Sequence, residues 1–252
     1  MPRFFVPNNQ ISDGTVTVLG DDAHHLSRSL RMAVGEKVTV CDEHAREYLC
    51  ELTEFLPDRV LARILSETPA LTEPPFYAHV FQALPKGDKL DSIIQKAIEC
   101  GASEISTFES ARCVVRMKDA NEAKKLDRRV RIAVEAAKQS GRGRLPTVHP
   151  TVRFSEAIER AAECELALFC YEGEGTVPLG RVLAEWRQAH PNAAAPTSIS
   201  IVIGSEGGFS EEEVAAAKNS GMIPIGLGPR ILRTETAATF VLASLVSLFE
   251  LS

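Results

Sequence analysis

Apolar and polar residues change their spacing near residue 75, and this change divides the chain into two parts. In the first part, short apolar runs of strand length lie at residues 15–19, 37–41, 48–52 and 59–65. Turn signals such as Asp13-Gly14 and Pro57-Asp58 separate these runs, and a short helical pattern at 22–30 interrupts them. Many short strands in a small segment indicate a β-barrel.

In the second part, apolar runs of strand length alternate with helical patterns. Strands are predicted at residues 77–84, 105–108, 166–170, 199–203 and 223–226. Helices are predicted at residues 90–98, 120–140, 210–221 and 236–251. Strands that alternate with helices are typical of an α/β domain. Residues 69–75 show no regular spacing of apolar residues and contain two adjacent prolines, so we place a linker there. This linker divides the chain into two predicted domains, residues 1–72 and 73–252.

Three of the predicted helices have informative patterns. Ser210 and Glu213 have the spacing of a capping box at the start of one helix. The basic helix at 120–140 is expected to direct one set of apolar residues inward, namely Leu126, Val130, Ala133, Val134 and Ala137. The helix at 236–251 is apolar nearly all round, which predicts that it is buried in the protein or against a partner subunit.

Composition narrows the class of protein. The chain has 252 residues, of which 44% are hydrophobic and 25% charged, as in ordinary soluble proteins. No apolar run approaches the roughly 18 residues that span a bilayer, and the N-terminus offers no export signal, so we expect a cytoplasmic location. The six cysteines form no C-x-x-C pair and do not cluster with the histidines, so reduced thiols and no metal site are predicted.

The net charge of −6 hides a basic segment at residues 112–144. This segment holds eleven basic and four acidic residues, a net charge of +7, which leaves −13 for the rest of the chain. Such asymmetry suits a phosphate backbone, although a helix face with mixed charges in contact with solvent has the same composition.

Two glycine-containing loops carry the strongest chemical signal. Gly204-Ser205-Glu206-Gly207-Gly208 follows one predicted strand, and Leu227-Gly228-Pro229-Arg230-Ile231-Leu232-Arg233-Thr234-Glu235-Thr236-Ala237 follows another. Open α/β sheets bind ligands where such strand ends meet. The first loop matches neither a P-loop nor a dinucleotide fingerprint, and its Glu206 suits a cationic ligand such as S-adenosylmethionine. Arg230 and Arg233 suit a phosphate or a nucleobase carbonyl, so the pair of loops indicates methyl transfer to nucleic acid.

These loops, together with Lys86-Gly87-Asp88-Lys89, Gln139-Ser140-Gly141-Arg142 and the segment from His25 to Arg31, resemble the RsmE-type ribosomal RNA small subunit methyltransferases of the SPOUT superfamily. The resemblance covers essentially the whole chain. It implies a PUA-like RNA-binding barrel, then a SPOUT-type α/β domain with a C-terminal trefoil knot, and a homodimer. It also implies methylation of N3 of one uridine in 16S ribosomal RNA, with the 30S subunit as the expected substrate and S-adenosylmethionine as the cofactor. The family usually has proline where Ser205 stands.

Candidate site residues follow from the loops and the resemblance. We assign catalysis to Arg233 and Arg230, which can direct positive charge at the uracil carbonyls, and leave the base that removes the N3 proton unassigned. The cofactor candidates are Tyr171, Gly204, Glu206, Gly207, Gly208, Leu227, Gly228, Ile231, Leu232 and Thr234. The RNA candidates are Arg28, Arg31, Arg112, Arg116, Gln139, Arg142 and Arg144. Each glycine could instead permit only a tight turn, and each arginine could form only a surface ion pair.

Two alternative functions remain open from the sequence. A related knotted enzyme would methylate a ribose 2'-hydroxyl of RNA instead of a base. A ribosome-assembly protein that binds RNA without catalysis would keep the basic segment but not bind the cofactor.

Overall fold

The computed structural model describes residues 1–116 and 122–251. Contacts divide the chain into two compact units, residues 1–73 with 137–145 and residues 74–136 with 146–252. In the part of the chain that is described, no helix is both long and apolar enough to cross a bilayer. All six cysteines are free thiols in this structure.

The first unit is built on one mixed sheet. Its strands are β1 (Arg3–Phe5), β2 (Ile11–Ser12), β3 (Thr15–Leu19), β4 (Lys37–Cys41), β5 (Arg46–Phe55) and β6 (Arg59–Pro69). Their order is β1-β4-β5-β6-β3-β2, with β1 parallel to β4 and the other neighbours antiparallel. Alternate residues such as Val16, Val18, Val38 and Val40 point into a shared core, as the period of two predicts. The predicted β domain is confirmed.

The helical pattern at 22–30 corresponds to two short elements. Helix α1 covers Gly20–His24, and one turn of π-helix continues over His25–Ser29. Leu26 is fully buried in the core of the sheet, so this turn is fixed by packing.

The second unit contains a parallel sheet. Its strands are β7 (Tyr77–Ala83), β8 (Ala102–Glu109), β9 (Thr147–Val148), β10 (Val152–Arg153), β11 (Leu166–Cys170), β12 (Val177–Pro178), β13 (Ser198–Ile203) and β14 (Ile223–Gly226). The order is β10-β8-β7-β13-β11-β14-β12, with β9 paired to β8. All these pairings are parallel, so the carboxyl ends of the central strands meet at one edge. The predicted α/β class is confirmed.

Helices connect these strands: α2 (Lys89–Glu99), α3 (Glu122–Ser140), α4 (Phe154–Ala162), α5 (Leu179–Ala189), α6 (Glu211–Asn219) and α7 (Thr234–Phe249). The capping box that begins α6 is present, because the Ser210 hydroxyl accepts from the Glu213 amide and the Glu213 carboxylate accepts from the Ser210 amide. Helix α7 packs against α2 and β13, which explains why apolar residues occupy most of its circumference.

The inward face of α3 differs from the prediction. Arg129 is buried at an inward position, whereas Val130 has 38% of its surface exposed. Arg129 is tolerated there because its guanidinium donates to Glu122, Thr107 and Thr151. The predicted helix start at Ala120 lies outside the described residues. The two-residue strands β2, β9, β10 and β12 were not predicted, because two residues do not establish a period. Helix α4 was not predicted either.

Candidate active site

A cavity of about 750 Å³ opens at the carboxyl ends of the parallel strands. Its walls come from the loops that follow β11, β13 and β14, and Lys89 and Arg112 border it from the segments after β7 and β8. Among its lining residues are all those predicted to contact a cofactor: Tyr171, Gly204, Glu206, Gly207, Gly208, Leu227, Gly228, Ile231, Leu232 and Thr234. Both predicted catalytic residues, Arg230 and Arg233, line it as well. Folding therefore brings these two sets of candidates together.

The loop after β13, residues 204–209, is held tightly. Ser205 and Gly208 form a β-bridge, and the Gly208 amide donates to the Ser205 carbonyl at 2.9 Å. Phe209 then enters the core, with its ring centroid 4.3 Å from that of Phe169. Gly208 has φ +66°, a left-handed conformation that favours glycine. This loop presents backbone groups to the cavity from a fixed position.

Glu206 is engaged by groups of the protein. Its carboxylate accepts from Lys89 Nζ at 2.8 Å and from the Lys86 amide at 3.2 Å. Desolvation favours its neutral form, but the hydrogen bonds from Lys89 and from backbone amides lower the pKa of Glu206 overall. Lys89 also lies 3.5 Å from Glu235. The carboxylate that the sequence offered to a cationic ligand is thus already paired with a lysine.

The loop after β14, residues 227–233, is open. Gly228 has φ +103°, and Arg230 and Arg233 are exposed. Ile231, at the tip, has 81% of its surface accessible. This loop therefore presents the side chains of Arg230, Ile231 and Arg233 beside the backbone groups of residues 204–209.

Thr234 connects the two loops. Its hydroxyl donates to the Gly204 carbonyl at 2.7 Å and accepts from Gln82 Nε2 at 2.8 Å. Gln82 is fully buried near the end of β7, and its amide also donates to the Ala83 carbonyl. The Thr234 side chain, which was predicted to contact a cofactor, is therefore used to join β7, β13 and α7.

Sequence reasoning missed Lys89 and Gln82 as parts of this site. Lys89 lies in the Lys86-Gly87-Asp88-Lys89 segment, which contributed to the family resemblance but received no role. Gln82 carried no usable signal, because it lies inside an apolar run that predicts a buried strand.

A buried polar atom without a partner marks the cavity as suited to a ligand. Ser205 is buried, and its hydroxyl has no hydrogen-bond partner among the described residues. Leaving a buried hydroxyl unpaired costs about 1 to 3 kcal/mol, so a ligand that pairs with it would recover that cost. Backbone-rich walls and a volume within the range of roughly 300 to 1,000 Å³ also suit a small-molecule cofactor.

The predicted RNA contacts fall into different environments. Arg28, Arg31, Gln139 and Arg144 are exposed. Arg116 is exposed and pairs with Glu109 at 2.7 Å. Arg112 lies at the cavity, where its guanidinium donates to the Gly207 carbonyl at 3.2 Å. Arg112 therefore lies with the loops that line the cavity.

Arg142 departs from the expectation of an exposed RNA contact. Its side chain is 4% exposed, and it donates to both carboxylate oxygens of Glu73 at 2.9 and 2.7 Å. Glu73 also accepts from the amides of Gly143 and Arg144. Because this guanidinium is buried and donates to both carboxylate oxygens of Glu73, its contacts stabilise the first unit. Lys118 and Asp119, which entered the charge count, lie outside the described residues.

Comparisons with known proteins agree with this architecture. Residues 72–246 match the family model described as RNA methyltransferase domain, and residues 18–65 match the RNA methyltransferase PUA domain. The chain is 34% identical to the ribosomal RNA small subunit methyltransferase E of Bacillus subtilis over 97% of this chain and 96% of that protein.

Two similar solved structures contain a bound cofactor. One is a ribosomal RNA small subunit methyltransferase E from Neisseria gonorrhoeae bound to S-adenosyl methionine, with a TM-score of 0.83, 31% identity and coverage of 99% of this chain and 98% of that chain. The other is a methyltransferase from Legionella pneumophila in complex with SAM, with a TM-score of 0.81, 28% identity and coverage of 97% and 96%.

Proposed function

Because the chain belongs to the ribosomal RNA small subunit methyltransferase E family, we propose that it methylates N3 of one uridine in 16S ribosomal RNA with S-adenosylmethionine as the cofactor. The observation that carries this proposal is the cavity, where an anchored glycine loop lies beside a loop with two exposed arginines. The first suits a small cofactor, and the second suits an anionic nucleic acid.

S-adenosylmethionine supplies a methyl group activated by a sulfonium when it is bound. Backbone groups around Gly204, Gly207, Gly208, Leu227, Gly228, Ile231 and Leu232 would hold it, with Tyr171 at the wall of the cavity. The unpaired Ser205 hydroxyl offers a further hydrogen bond. Glu206 and Thr234 contribute indirectly, because their side chains fix Lys89 and the Gly204 carbonyl in place.

Arg233 and Arg230 are proposed as the catalytic residues. A uracil that loses its N3 proton develops negative charge on its carbonyl oxygens, and guanidinium groups directed at those oxygens stabilise that charge. Both arginines are exposed at the rim of the cavity, where a base of an RNA can reach them. Glu206 is a poor base for this proton because Lys89 and backbone amides lower its pKa.

The remaining family features are part of the proposal. Residues 1–72 would form a PUA-like RNA-binding domain and residues 73–252 a SPOUT domain. The sheet order supports a trefoil knot. In the sheet, β11 lies between β13 and β14, so the chain that leaves β14 passes β11 to reach the end of β13, where the Thr234 hydroxyl donates to the Gly204 carbonyl. A cytoplasmic location and a 30S substrate follow from the same family assignment.

A homodimer is supported by α7. The side of this helix that does not pack on α2 and β13 exposes Phe240, Thr236, Ala243 and Ser247. Phe240 has 39% of its surface accessible, and the small residues beside it would let another helix approach closely. A second copy of the chain is the proposed partner.

The test is a methylation assay with labelled S-adenosylmethionine on naked 16S ribosomal RNA and on whole 30S subunits. We expect N3-methyluridine at a single position, with 30S subunits as the better substrate. A 2'-O-methylated, alkali-resistant linkage would replace this function with ribose methylation. Absence of both cofactor binding and product would favour a non-catalytic RNA-binding protein.

A further inference from the structure

Three polar side chains from separate segments of the second unit meet away from the cavity. His79 in β7 and Glu104 in β8 are direct neighbours in the strand register. His149 follows β9, and its amide donates to the Ile105 carbonyl at 2.9 Å. None of the three is among the described residues that line the cavity, so the proposed methyl transfer leaves this cluster unexplained.

The potential ligand atoms converge on one point. His149 Nε2 lies 2.6 Å and His79 Nδ1 3.4 Å from the same oxygen of Glu104. One ligand atom from each residue can be chosen so that all three lie within 4.8 Å of one another. Ligand atoms at about 2.0 to 2.2 Å from a tetrahedral zinc ion are separated from each other by roughly 3.3 Å. The two distances to the Glu104 oxygen, 2.6 and 3.4 Å, lie on either side of that spacing.

Groups around the cluster orient two of its members. The second ring nitrogen of His79, Nε2, lies 2.8 Å from the Ser106 hydroxyl. The other carboxylate oxygen of Glu104 accepts from the Tyr77 hydroxyl at 2.7 Å. Hydrogen bonds of this kind fix the ring orientation and tautomer of a metal-binding histidine and hold a ligating carboxylate.

We propose that His79, Glu104 and His149 form a binding site for a divalent transition-metal ion, with Zn²⁺ as the best match to two imidazoles and one carboxylate. The side chains of His149 and Glu104 are 28% and 22% exposed, which leaves access for the ion and for water as a fourth ligand. The bound ion connects β7, β8 and the segment after β9. Its role is structural, because the site lies apart from the cavity lining.

The test uses the full-length protein after dialysis against a chelator. Isothermal titration with Zn²⁺ should give one site per chain, and Co²⁺ should give the visible absorption of a four-coordinate ion. His149→Gln keeps a hydrogen-bond donor for Glu104 but removes the imidazole, so it should stay folded and lose the Co²⁺ spectrum. His79→Gln should weaken binding at least tenfold.

The matched control is His24→Ala, which removes an exposed histidine of the first unit and should bind Zn²⁺ as the original chain does. Equal stoichiometry and affinity in the His149→Gln variant would overturn the proposal, as would an original chain that binds no Zn²⁺. Either result would identify the three side chains as a hydrogen-bonded network only. S-adenosylmethionine affinity should be unchanged in His149→Gln, so this test is independent of the proposed methyl transfer.

Discussion

The loops after β13 and β14 line the same cavity but are held in different ways. Residues 204–209 are anchored by the Ser205–Gly208 bridge, by the Glu206–Lys89 pair and by Phe209 in the core. Residues 227–233 expose Ile231 and two arginines, and Thr234 fixes the end of this loop. A cofactor site needs fixed backbone groups, whereas an RNA must reach its contacts from solvent. We infer that backbone groups of both loops hold the cofactor in the cavity, and that the exposed arginine side chains of the open loop contact the RNA.

Replacing Arg233 should have the largest effect on the function of the open loop. We expect Arg233→Ala to reduce turnover by about 10²-fold, as the loss of one preorganised donor commonly does, with little change in cofactor affinity. Arg233→Lys should recover only part of the rate, since an ammonium cannot bind two oxygens in the manner of a guanidinium. Steady-state kinetics with saturating cofactor measure this. A higher KM for RNA at constant turnover would reduce Arg233 to a positioning contact.

Thr234→Val tests the hydrogen bonds that connect the two loops. The valine preserves shape but removes the hydroxyl, and with it the hydrogen bond to the Gly204 carbonyl and the one from Gln82 Nε2. We expect the free energy of unfolding to fall by about 1 to 3 kcal/mol, measured by urea denaturation. Thr234→Ser retains the hydroxyl and serves as the control. Equal stability of the two variants would mean that the hydroxyl does not hold the loops together.

Gly228→Ala tests whether the start of the open loop needs its left-handed backbone. No neighbour lies within 4 Å of an added Cβ, so the cost comes from φ +103° alone. Such strain is worth about 1 to 2 kcal/mol, and we expect S-adenosylmethionine to bind roughly tenfold more weakly by calorimetry. Gly180→Ala in α5, which also meets no neighbour and has no positive φ, is the matched control. Unchanged affinity would show that the loop adapts without loss.

Glu206→Gln should have the smallest effect on stability. The Glu206–Lys89 pair is partly exposed, with side-chain exposures of 37% and 33%, so solvent screens it. We expect the melting temperature to change by no more than about 2 °C, because exposed ion pairs contribute little. A loss of S-adenosylmethionine binding with normal stability would return Glu206 to the role of a direct cofactor ligand.

The basic segment at residues 112–144 shows that net charge alone does not distinguish exposed arginines from buried ones. Its net charge of +7 predicts one RNA-binding surface, but Arg129 and Arg142 are buried and bonded to Glu122 and Glu73. Sequence spacing does not distinguish these arginines from the exposed Arg144, because a buried ion pair depends on a partner supplied by another part of the fold. The carboxylate partner of Arg142 is 69 residues away.

Local patterns determine the elements of this protein because they depend on residues close together in the chain. The strands before both cofactor loops, the capping box at Ser210 and the apolar faces of α2 and α7 are all readable from spacing. Contacts between distant residues arise only when the sheet forms. The strand order pairs Lys89 with Glu206 and brings Gln82 within hydrogen-bond distance of Thr234. It also brings His79 close to Glu104 and His149. No period or motif encodes these pairs, because their geometry is set by which strands become neighbours.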